Sequence, residues 1–181
     1  MSDKDHTESL SDTLRSRTAS GRNALDRLML RLPGFRGYIE YTERYTSDRL
    51  LRDLMAERLI QCKADVGAFM RGLPQQGDIK LLPEIDALTA AIETLVKTAQ
   101  AADFGASSSF SNSKFRYTKE DQDRLLEYDA GLLSQLEGIE AAVERLSEPN
   151  ADVSASISSI RALLKNFSSL LNERKMKLLG V

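Results

Sequence analysis

The chain has 181 residues, a formal net charge of −2, 41% hydrophobic residues and 29% charged residues. That is the size of one domain with a tail, and apolar enough to bury a core, which excludes wholesale disorder. No apolar run approaches the 18 residues of a transmembrane helix; the single cysteine, Cys62, excludes a disulfide framework and a multi-cysteine zinc site, and the single histidine, His6, leaves most histidine chemistry without residues.

Residues 1–20 read as a disordered polar tail, followed by one helical domain over 21–181. The segment Met1 to Glu8 is acidic and lacks the apolar stretch of a signal peptide, so the cytoplasm is the default location. A short amphipathic helix is expected around 22–32. Leu25, Leu28, Met29 and Leu32 share one face, and Arg22, Arg27 and Arg31 flank it. That face suits docking on the rest of the chain; its alternative use is contact with an anionic membrane surface.

The stretch LPGFRGY, residues 32–38, is a turn signal, with Pro33-Gly34 followed by Gly37. It lacks the lysine and hydroxyl of a phosphate-binding loop. From Leu51, apolar residues recur at Met55, Leu59, Cys62, Val66 and Phe69, which predicts a first long helix over about 38–71, stopped by Gly72 and Pro74. Ile85, Leu88, Ile92, Leu95, Ala99 and Ala102 predict a second over about 79–103, with Pro83 in its first turn. Leu125, Leu132, Leu136, Ile139, Val143 and Leu146 predict a third over about 118–147, with Thr118 and Asp121 as a capping pair. Val153, Ile157, Ile160, Leu164, Phe167, Leu171 and Leu178 predict a fourth over about 150–178. Each seam is near the heptad spacing, and no strand-like alternation of useful length occurs. The expected fold is all-α, an antiparallel up-down-up-down four-helix bundle with a short N-terminal helix.

Charge is unevenly spread along these elements. Residues 13–72 hold twelve bases and seven acids, net +5, and residues 118–148 hold three bases and nine acids, net −6. This fits oppositely charged helices side by side and argues against a nucleic-acid partner.

In an up-down bundle one end collects most of the aromatics. Nine of the eleven fall in two distant stretches: Phe35, Tyr38, Tyr41 and Tyr45, then Phe104, Phe110, Phe115, Tyr117 and Tyr128. The connection 103–117, DFGASSSFSNSKFRY, is long for a bundle. It reads either as a cap tucked onto the bundle end or as a partner-binding segment. The candidate partner surface is Phe35, Arg36, Tyr38, Phe110, Phe115, Arg116 and Tyr117.

Charged residues interrupt the seams toward the same end: Arg44 and Asp48 on the first, Asp129 on the third and Arg174 on the fourth. An unpaired buried charge is costly, so a carboxylate–guanidinium cluster of these four is expected. Its plain role is to specify helix register; its alternative is to hold a polar ligand, as in a small-molecule sensor or enzyme.

No cofactor or metal is implied. A ferritin-like di-metal site needs Glu-x-x-His pairs, which His6 cannot supply, and the arginines would oppose a metal at Asp48 and Asp129. Cys62 lies on an apolar seam with no histidine to activate it. LPGFRGY, DRLLRDLMAERL (48–59) and DRLLEYDAGLLSQLEGIEAAVERL (123–146) resemble a group of uncharacterised bacterial helical proteins. That resemblance implies a helical fold and carries no activity with it. The leading expectation is a non-catalytic interaction or scaffold module with a protein partner. Leu50, Leu54, Leu126 and Leu133, beside the seams, leave homo-oligomerisation open.

Overall fold

The computed structural model describes residues 23, 24, 26–28, 30, 44–76, 79–101, 119–149 and 151–179. Among these, only 148, 149, 151 and 152 lie outside helix, and there is no strand. The long helices are α1 (Arg44–Gln76), α2 (Leu82–Ala101), α3 (Lys119–Glu144) and α4 (Val153–Leu179), with 3-10 turns at Ile79–Leu81 and Arg145–Ser147.

The chain divides into two compact units: residues 1–51 with 105–131, and residues 52–104 with 132–181. The second unit holds most of the described core. Its α1 buries Met55, Leu59, Cys62, Val66 and Leu73; its α2 buries Ile85, Leu88, Ile92, Leu95 and Ala99. From α3 come Leu132, Leu136, Ile139 and Val143, and from α4 Ile157, Ile160, Leu164, Phe167 and Leu171. All but Leu73 are the seam residues that the three-and-four spacing picks out, because only one side of a 3.6-residue helix can face a core. Each large aliphatic side chain buried this way contributes about 1.5–3 kcal/mol. Phe69 is half-buried, at the edge of that seam.

Polar pairs tie the helices of this unit together. Lys63 on α1 meets Glu93 on α2 at 3.0 Å, and Arg58 on α1 forms a two-pronged pair with Glu140 on α3. Asn166 on α4 donates to Gln135 on α3 at 3.3 Å, and Arg161 on α4 lies 3.8 Å from Glu84 on α2.

In the first unit the described residues between 23 and 30 are helical, with Ala24 and Leu28 buried one turn apart and Arg27 and Leu30 exposed. Leu51, Asp123, Asp129 and Ala130 are also buried there.

Helix ends differ from the sequence expectation by a few residues, most plainly at the end of α1. Gly72 and Pro74 do not stop α1, which runs on to Gln76. Proline forfeits a single helical hydrogen bond, and only two residues of helix follow it. Leu73, fully buried between the two breakers, favours that extra turn. The start of α4 is fixed by Asp152, whose Oδ1 accepts from the Ala155 amide at 3.0 Å. This is a side-chain cap on an otherwise orphaned donor.

Candidate functional site

The proposed partner surface, Phe35, Arg36, Tyr38, Phe110, Phe115, Arg116 and Tyr117, lies outside the described residues, as do the tail 1–20 and the connection 103–117. Of the expected ionic cluster, Arg44 and Asp48 sit in the first turns of α1, and their side chains fall outside the description. Asp129 on α3 is buried at 8% exposure, and Arg174 on α4 at 2%. Both have interaction partners, as buried charges require.

Two further buried charges were not singled out by sequence. Asp123, near the start of α3, is 3% exposed. It stands seven residues before buried Ala130 and ten before buried Leu133, so the heptad carried the signal. Arg52 is 7% exposed and stands four residues before buried Ala56. Its Nη1 donates to the Gln100 carbonyl at 3.3 Å, one residue from the end of α2. Helix C-termini leave carbonyls without donors and carry partial negative charge, and a guanidinium answers both.

The second unit contains the best-defined charged groups. Arg58 Nε donates to Glu140 Oε1 at 2.6 Å, and Nη2 donates to Oε2. The hydrogen bond to Glu140 raises the arginine's pKa further, against the opposing effect of partial burial. One turn along, burial pushes the Cys62 thiol up to about 12, and the Glu140 carboxylate adds to the effect. At neutral pH Cys62 is a protonated, apolar core residue. On the surface, Glu93 receives Lys97 at 2.9 Å and Lys63 at 3.0 Å. Their hydrogen bonds, Lys97's first, hold its carboxyl down to about 2.

Among the described residues no group of three or more His, Cys, Asp or Glu side chains is placed to hold a metal ion. No described helix is long and apolar enough to cross a membrane. The pairs Arg58–Glu140, Lys63–Glu93 and Gln135–Asn166 fasten one helix to another, and Arg52 and Asp152 serve helix ends. Comparison with family models, with curated proteins and with solved structures gives no match.

Proposed function

We propose that this chain is a non-catalytic helical interaction module whose partner surface is built from the two aromatic stretches. The carrying observation is the division of residue types between the two units. Residues 1–51 and 105–131 contain eight of the eleven aromatics, including Phe35, Tyr38, Phe110, Phe115 and Tyr117. The other unit closes its core with aliphatic side chains and Phe167. Aromatics carried beside Arg36 and Arg116 are the residue types that dominate protein interfaces.

The scaffold in this reading is an antiparallel four-helix bundle. Two pairs between α1 and α2, Arg52 with Gln100 and Lys63 with Glu93, are centred on nearly the same point of the chain, where α1 ends. The Gln135–Asn166 pair is centred between the end of α3 and the start of α4 in the same way. Pairs nested about a turn are what an up-down hairpin of helices produces.

Replacing Phe110 and Phe115 together with serine should abolish capture of a partner from the native cell while leaving helical circular dichroism unchanged. Full retention of every captured protein by the double variant would refute the assignment. Membrane attachment through residues 22–32 is the second reading. Burial of Ala24 and Leu28 on its apolar side supports docking against protein instead. Salt-sensitive flotation with anionic vesicles would reinstate it.

A further inference from the structure

Within the second compact unit, each helix carries polar pairs to two others. From α1, Arg52–Gln100 and Lys63–Glu93 reach α2, and Arg58–Glu140 reaches α3. From α4, Asn166–Gln135 at 3.3 Å reaches α3, and Arg161–Glu84 at 3.8 Å reaches α2. The described pairs thus link α1 to α2, α2 to α4, α4 to α3 and α3 back to α1, a closed circuit.

Helix geometry agrees with it. On α2, Glu84 and Glu93 stand nine residues apart, about two and a half turns, so they leave on opposite sides of the buried seam. One goes to α4 and the other to α1. On the remaining helices the partner residues stand five apart: Arg58 and Lys63, Gln135 and Glu140, Arg161 and Asn166. The buried seam passes between their directions in each case. Arg58, Glu140, Arg161 and Glu84 are all partly exposed, as side chains meeting over the groove between adjacent helices are. A pair across a bundle's diagonal would have to cross its apolar core. The first turns of α1 and the first half of α3 fall in one compact unit and the remainder of both in the other, so the two helices run the same way.

We infer that the helices stand around this core in the order α1–α2–α4–α3, with α1 parallel to its neighbour α3 and α2 parallel to its neighbour α4, and that Arg58–Glu140 and Arg161–Glu84 select that order over α1–α2–α3–α4. The rejected order makes α1 and α3 a diagonal, which strands Arg58 and Glu140, both largely covered, without each other. The selected order makes α2 and α3 the diagonal instead. Residues 102–118 join those two helices, and a diagonal needs more chain than the about two to eight residues that join neighbouring helices. The inference rests on the hairpins of the proposed scaffold and uses no aromatic residue, so it stands apart from the partner surface.

Crosslinking of the full-length chain in a Cys62→Ala background tests the order. One heptad beyond the two selecting pairs, Asp65→Cys is combined with Ser147→Cys, and Ala91→Cys with Ser168→Cys. All four positions are exposed or half-exposed. A short bismaleimide, at low protein concentration, should join each pair within one chain. The same cysteines re-paired across the diagonals, A91C with S147C and D65C with S168C, should join about tenfold more slowly or not at all, because a core lies between them. K63C/E93C, inside the first hairpin, is the positive control. If it joins while the re-paired cysteines match or outpace the original pairs, or the original pairs fail to join, the order is overturned and the hairpins stand. If it fails, the hairpins fall and the order with them. Arg58→Glu and Glu140→Arg should each raise the unfolded fraction about fivefold or more, and R58E/E140R should recover most of the loss. Additive losses in the double variant would overturn the selecting role of the pair.

Discussion

At residue scale, the Arg58–Glu140 pair shows how a charge is carried inside an apolar seam. Its side chains are 22% and 29% exposed, too covered for full screening and too open for a full desolvation penalty. Arg58→Met should therefore cost about 1–2 kcal/mol by urea unfolding, between the surface and buried extremes. Loss of less than about 0.3 kcal/mol would place the pair with ordinary surface pairs. Cys62 gives a chemical test. With its thiol held up to about 12, a thiol-reactive dye at pH 8 should label it only after denaturant is added. Glu93 gives an electrostatic one. Its carboxyl sits near 2 when folded, below its ordinary 4.5, so folding is favoured by its ionisation above about 4.5, and that stabilisation is lost as pH falls toward 2. A carbon-detected NMR titration should find the low midpoint, and Lys97→Met should move it back up; an ordinary midpoint in the wild type would contradict the clamp. Cys62's place on the seam was legible in the sequence. The burial of Arg52 was not, because a long charged side chain in an amphipathic helix reads as solvent-facing until its partner, the Gln100 carbonyl, is located.

At element scale, helix bodies were easier to read than helix ends. The bodies follow from apolar spacing, which depends on the core and survives local exceptions. Ends depend on which of several weak signals wins. At the end of α1 the breakers Gly72 and Pro74 lost to the burial of Leu73. At the start of α4, Pro149 and Asn150 drew attention three residues too early, while the cap is Asp152. Two predictions follow from these ends. Leu73→Ala should cost about 2–5 kcal/mol, the loss expected of a core leucine rather than of a frayed terminus. Asp152→Ala should cost about 1 kcal/mol and Asp152→Ser much less, since serine keeps a capping oxygen. Thermal melts of the variants measure both, and a silent Leu73→Ala would return the end of α1 to Gly72.

At the scale of the whole molecule, the four buried seams and the polar pairs between helices make up the described structure. In the proposed reading the helices act as a frame, and recognition is assigned to the aromatic stretches around Phe35 and Phe110. Composition made that concentration of aromatics visible in the sequence, but composition alone does not say what an aromatic touches; seam position, by contrast, marked Asp129 and Arg174, both buried. The most direct measurement replaces Phe110, Phe115 and, as a control on the exposed face of α4, Ser158 in turn with a photo-crosslinking phenylalanine analogue in the native cell. The account predicts discrete adducts with another protein at positions 110 and 115. These should be suppressed by excess wild-type chain and not by the variant bearing serine at both positions. Adducts at position 158 equal to those at 110 and 115, or none at any of the three, would contradict it.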